Sequence, residues 1–228
     1  MVTYFTPALF AFLRDLDAHN EREWFHSNKQ RYIDVIQEPA LAFISDFAPR
    51  LSSISPHFSA DARVNGGSLF RIHRDTRFSA DKTPYKTNTG VHFRHEAAKD
   101  VHAPGYYLHL EPTACFAGVG LWRPETAVLN RIRRVIQDDP KAWERAAKGK
   151  AFTDSWTPGT EDMLKRVPSG FDPEGPHADD LRLKSHTAGR RLTQKEVTSA
   201  TFIDEYAELC SAASPYMGFL CQTVGVDF

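Results

Sequence analysis

Between Ala62 and Trp122 four short runs alternate apolar and polar residues at period two: Ser68 to His73, Thr89 to Arg94, Tyr106 to Glu111 and Cys115 to Trp122. Gly and Pro separate the runs, and no helix-length apolar pattern lies between any two of them. Parallel neighbours need a long crossover, usually a helix, so runs joined this way predict an antiparallel sheet. The gap from Glu111 to Cys115, which holds Pro112 and Thr113, is short enough for a hairpin.

Helical periodicity brackets this region on both sides. Leu9, Phe10, Phe12, Leu13 and Leu16 fall at helical spacing over residues 6–18. Asn20 followed by Glu23 has the form of a capping box opening a second helix, with Trp24, Asn28, Tyr32, Val35 and Ile36 on one face. Leu41, Ile44, Phe47 and Leu51 continue the pattern, and Pro39 predicts a break or kink within it. After Trp122 a helix is marked by Leu129, Ile132, Val135 and Ile136, followed by a looser Pro- and Gly-rich segment from Phe152 to His186. One last helix is expected over roughly Ala200 to Val224. Helices, sheet and helices in succession predict an α+β fold: at least four antiparallel strands over about 62–122, packed by helices over about 6–54 and about 124–224. No linker interrupts the pattern, so the 228 residues read as one domain, 1–228.

Cys115, Cys210 and Cys221 contain no CxxC pair and are odd in number, which argues against a disulfide framework and a thiolate zinc site. A reducing, cytoplasmic location is expected. The first twenty residues lack a basic leader and a small-residue cleavage signal, and no apolar run is long enough to span a bilayer, so no membrane association is expected.

Charge is concentrated in one place. From Phe70 to Asn88, reading FRIHRDTRFSADKTPYKTN, Arg71, Arg74, Arg77, Lys82 and Lys86 face only Asp75 and Asp81, a local +3 in a chain whose total is -1. A local positive field on a near-neutral protein suits one compact anion, because a long polyanion needs a more extended cationic surface. Tight, sequence-independent nucleic acid binding is therefore not expected. Arginine forks match phosphate and carboxylate oxygens in pairs, and lysine adds a mobile charge. The ligand-binding residues predicted on this ground are Arg71, His73, Arg74, Arg77, Lys82, Tyr85 and Lys86. The competing reading of the same residues is an internal network, Arg74 with Asp75 and Asp81 with Lys82, that shapes a long loop.

Other groups offer chemistry with less support. His92, His109 and Glu111 converge on a divalent metal only if neighbouring strands bring them together, and they lack HExxH-type spacing. No metal and no cofactor is predicted. His73, Asp75, His109 and Glu111 are available as general acids or bases, and Lys184 with Ser185 as a further phosphate contact. Trp24, Phe25, Tyr32, Tyr106 and Tyr107 offer stacking surfaces, although aromatics at helical spacing more often pack a core. Cys210 and Cys221 read as packing residues on one helix face.

Several segments resemble the bacterial and fungal family known as the domain of unknown function 2461. They are Asn20 to Tyr32 (NEREWFHSNKQRY), Ser68 to Asn88 (SLFRIHRDTRFSADKTPYKTN), Tyr106 to Pro112 (YYLHLEP), Phe116 to Pro124 (FAGVGLWRP), Val167 to Asp172 (VPSGFD) and Leu181 to Ser185 (LRLKS). They occur in the family's order and span nearly the whole chain. The resemblance implies a single cytosolic domain and attaches no activity to it. Val119 between Gly118 and Gly120, and Asn65-Gly66-Gly67 ahead of the basic segment, depart from the family's pattern. If a ligand approaches that backbone closely, the Val119 side chain is expected to narrow its access.

Function at this level reads as binding of a small phosphorylated or carboxylated molecule by a basic loop against an antiparallel sheet. The alternatives are an enzyme of phosphoryl or acyl chemistry using the same cations, with His73 or His109 carrying the proton, and a protein-interaction module whose loop is structural. Oligomeric state is not encoded in any of these features.

Overall fold

A computed structural model describes residues 2–97 and 104–228. Its N-terminal part is helical, as the periodicity requires. Helix α1 (Pro7–Ala18) opens with Pro7, whose missing N–H costs nothing in a first turn, and buries Leu9, Phe10, Phe12, Leu13 and Leu16. Helices α2 (Arg22–Ser27) and α3 (Lys29–Tyr32) follow, then a π-helical turn over Ile33–Gln37 that runs into α4 (Glu38–Ile54). The break expected at Pro39 takes this form. Proline cannot donate to the carbonyl four residues back, and the widened turn accommodates the ring without ending the helical run. The expected capping box does not form, because Glu21 occupies the N-cap position and Asn20 bonds elsewhere.

Six strands make one antiparallel sheet in the order β1-β2-β3-β4-β6-β5. They are β1 (Phe58–Ser59), β2 (Thr89–His95), β3 (Gly105–Leu110), β4 (Cys115–Leu121), β5 (Thr157–Pro158) and β6 (His186–Leu192). Three of the four expected runs are strands. The fourth, Ser68 to His73, meets the others only through the isolated bridge of Leu69 to Val91, its second bridge, His73 to Tyr85, lying within its own continuation. Its backbone turns to pair with its own continuation, Lys86 N–H donating to Ile72 C=O at 2.8 Å and Arg74 N–H to Pro84 C=O at 2.9 Å. β6, full-length and central, had no period-two signal; its sequence HTAGRRL carries a glycine and adjacent arginines, and its pairing with β4 holds it in place.

The remaining helices are α5 (Thr126–Asp138), α6 (Pro140–Ala147), α7 (Lys150–Thr153), α8 (Ala178–Arg182), α9 (Gln194–Val197), α10 (Phe202–Ala212) and α11 (Ser214–Val224). The single C-terminal helix expected is thus two, since Pro215 opens α11 and cannot extend the α10 hydrogen-bond ladder. Cys210 and Cys221 consequently lie on different helices. Both are buried free thiols, as is Cys115, and burial raises the pKa of all three.

Strand alternation divides the sheet into two faces. One carries Phe93, Tyr106, Val119 and Ala188 in register, and packs on the helices: Phe47 lies 4.8 Å from Phe93 and 5.1 Å from Tyr206 between ring centroids. Burying each such ring is worth about 1.5–3 kcal/mol. Val119 therefore faces the core and leaves the opposite surface of the sheet untouched. Arg133 interrupts the apolar stripe of α5 at a buried position, where its guanidinium caps the end of α8 by donating to Leu181 C=O at 2.7 Å and Leu183 C=O at 2.9 Å. Among the described residues, no helix is long and apolar enough to cross a membrane.

Candidate functional site

The basic segment forms a long excursion whose stem pairs residues 72–74 with 84–86. Asn20 fastens this stem to the helices. Its side-chain amide donates to Tyr85 C=O and accepts from Tyr85 N–H, both at 3.0 Å, so a side chain 65 residues away supplies what a neighbouring strand would. Tyr85 is buried, and its ring stacks on Phe25 of α2 at 4.2 Å with a 26° interplanar angle. Replacing Asn20 with Ala leaves the Tyr85 backbone without these partners, and we expect a loss of about 2 kcal/mol in urea melts. Asn20→Asp, which keeps the acceptor, should recover part of it.

The seven predicted ligand residues divide into two groups. At the tip, Arg77 pairs with Asp75, its Nη2 donating to Oδ2 at 2.7 Å, and Arg74 reaches both Asp81 and the Thr83 hydroxyl. Hydrogen bonds from these arginines hold Asp75 and Asp81 at a pKa of about 2. Lys82 donates to Thr76 C=O at 2.9 Å. The internal network foreseen as the competing reading thus exists, with Arg74 on Asp81 and Arg77 on Asp75 in place of the sequence neighbours.

At the stem the charges are not neutralised. The Arg71 guanidinium makes no hydrogen bond or ion pair among the described residues. Lys86 donates to Arg71 C=O at 2.8 Å and rests over the Phe70 ring at 5.5 Å. His73, in edge contact with Phe25 and Tyr85, has its pKa lowered first by burial and then by Arg71, Lys86 and Arg22. Three cations thus act on His73, and one of them, Arg71, also acts on Asp75. The basic residues of α2 and α3 were missed at the sequence level. Arg22, His26 and Lys29 recur at helical spacing and, with His73, Arg74 and Tyr85, line an open groove of ≈ 840 Å³ that also contains Glu23. Their spacing was the available signal, overshadowed by the aromatics of the same motif.

Other expected groups have structural partners. Lys184 Nζ donates to Asp162 at 2.7 Å, and Ser185 Oγ accepts from the N–H of Arg123, a residue held at φ 45°. Trp24 stacks on His19, Tyr32 is buried, and Tyr106 faces the core. Among the described residues, no three His, Cys, Asp or Glu side chains are grouped to hold a metal. His92 lies across the ladder from Tyr107 and does not meet His109, while His109 and Glu111 do come together, Nε2 to Oε2 at 3.1 Å.

No curated protein matches the chain. The family described as conserved hypothetical protein (DUF2461) matches it over residues 8–219, nearly its full length, and the protein belongs to that family.

Proposed function

We propose that this protein binds a small phosphorylated or carboxylated molecule in the groove between α2 and the stem of the basic excursion. The supporting observation is that Arg22, Lys29 and Arg71 have no ion pair among the described residues, although they surround or adjoin His73. The stacked pair of Phe25 and Tyr85 gives the groove an apolar base, which suits a ligand with a flat or aliphatic body and one anionic end. Arg71, His73 and Lys86 remain ligand residues in this reading, joined by Arg22 and Lys29, while Arg74 lines the groove but is committed to Asp81 and Thr83. Arg77 and Lys82 shape the tip.

Thermal melts with inorganic phosphate, nucleoside phosphates and di- and tricarboxylates test this. A ligand at 100 times its Kd stabilises by about 2.7 kcal/mol, so an active compound raises the melting temperature in a concentration-dependent way. Arg22→Ala and Arg71→Ala should each weaken binding roughly 10-fold or more, the value of a charged hydrogen bond, while leaving the free protein's melt nearly unchanged. Arg77→Ala should leave binding intact. A flat panel, or equal losses from Arg71→Ala and Arg77→Ala, would overturn the proposal.

A further inference from the structure

The outer face of the sheet carries a second arrangement. Tyr107, His109 and Glu111 follow at intervals of two, so all three project from the face opposite the core. Tyr107 Oη lies 3.0 Å from His109 Nδ1, and His109 Nε2 lies 3.1 Å from Glu111 Oε2. An ionised carboxylate only accepts, so the neutral imidazole keeps its proton on Nε2 and presents a lone pair at Nδ1. The phenol must then be the donor to His109. Nucleophile, base and orienting acid stand in the order used for covalent catalysis.

Neighbouring residues hold this order in place. Phe116 stacks on the His109 ring at 4.7 Å and 16°, fixing its plane. A Cβ at Gly90 would lie 2.7 Å from Tyr107 Oη, so the phenol reaches its position only because residue 90 has no side chain. His92, whose ring centroid lies 6.4 Å from that of Tyr107, is buried with Nδ1 unpartnered among the described residues. Phe70 lies 5.9 Å from the Tyr107 ring and carries Lys86 above it at 5.5 Å, which joins this surface to the cationic stem.

We infer that Tyr107 is a base-assisted nucleophile for phosphoryl transfer, acting on a phosphate ester or anhydride whose charge rests against Lys86 and Arg71. The substrate class rests on the anion-binding reading above; the relay does not. In the first step the Tyr107 Oη–P bond forms and the bond from phosphorus to the leaving oxygen breaks. The phenolic proton moves to His109 Nδ1, and the resulting imidazolium is held by Glu111 and returns that proton to the leaving oxygen. Water, deprotonated by the neutral imidazole, then attacks phosphorus, the Tyr107 Oη–P bond breaks to release phosphate, and the imidazolium returns its proton to the phenolate oxygen. Burial and Glu111 raise the phenol's pKa to about 12, so the proton must leave during attack, which is the task of an adjacent base.

An uncharged arylsulfonyl fluoride tests the relay without using the cations. Attack by Tyr107 forms an O–S bond and expels fluoride, and peptide mass spectrometry locates the adduct among the seven tyrosines. Tyr107 should label at least ~10-fold faster than Tyr4, and His109→Gln and Glu111→Gln, checked for native melts, should each reduce the rate at least ~10-fold, the order expected for general-base assistance. Equal labelling in wild type and His109→Gln, or Tyr107 unlabelled while Tyr4 reacts, would overturn the inference, since a purely structural ladder gives either result. If Arg71→Ala abolishes stabilisation by phosphate but labels normally, both proposals stand. Normal labelling with no response to any anion sinks the anion groove and leaves the relay.

Discussion

Lowering the pH from 6.5 to 4 is expected to destabilise this fold by about 5 kcal/mol or more, through two buried imidazoles that cannot take up a proton in place. His92 and His186 are both buried, and desolvation depresses each pKa from 6.5 to about 4. Arg94 adds to the shift at His92; at His186 Asp180 opposes it and Arg133 adds to it. Neither ring nitrogen of His186 has a hydrogen-bond partner among the described residues. Between the two pKa values the unfolded chain binds protons that the native state refuses, so stability falls as pH falls through this window, by about 3 kcal/mol per histidine. Asp75 and Asp81 contribute little here, because a carboxylate lowered from 3.8 to about 2 loses its stabilising effect only as pH falls from about 3.8 towards 2, below this window. Since single domains have only 5–15 kcal/mol to lose, urea melts at pH 7, 5.5 and 4 should show a steep decline. His186→Gln should remove about half of the pH dependence, and a flat profile would mean that the two rings are not buried in this way.

Gly120→Ala should be the most damaging small substitution in the sheet, costing about 3–5 kcal/mol as the sum of backbone strain and overpacking. Gly120 sits at φ 113°, where side chains are strained, and an added Cβ would lie 2.1 Å from the carbonyl oxygen of His186 and 3.0 Å from Thr187 Cα. Both atoms belong to the backbone of β6, which cannot retreat without opening the β4–β6 ladder. Gly118→Ala is the matched control. Its Cβ would make ordinary contacts at 3.7 Å with Tyr107, so its cost should stay within about 1 kcal/mol. Equal urea midpoints for the two variants would contradict this account.

Where sequence reading of the fold succeeded, a local period governed the outcome. The α1 stripe and strands β2, β3 and β4 form as read, because period 3.6 or 2 alone decides which face of an element is apolar. Where it failed, a distant partner had the larger effect. The Ser68 to His73 run has strand-like alternation, yet its backbone groups pair partly with β2 and partly with residues 84–86. β6 lacks alternation and is a strand because β4 lies beside it. Arg133 fits the spacing of an apolar stripe and is buried there because two carbonyls of another helix accept its protons.

The sequence by itself determined the α+β succession, the antiparallel sense of the sheet and the place where cations concentrate, since these depend on periodicity, connection length and residue counts. Tertiary structure decided which cations are spent. Arg74 has Asp75 next to it in sequence and pairs with Asp81; Arg71 makes no ion pair among the described residues, and its charge acts through space on both Asp75 and His73. It also decided that Asn20 holds Tyr85 in place of capping α2, and that the Tyr107 phenol meets His109 over a position without a side chain. A charge or hydrogen-bonding group has several chemically equivalent partners within reach along the chain. Only the register of the strands and the path of the excursion bring one of them within 3 Å, the reach of a hydrogen bond.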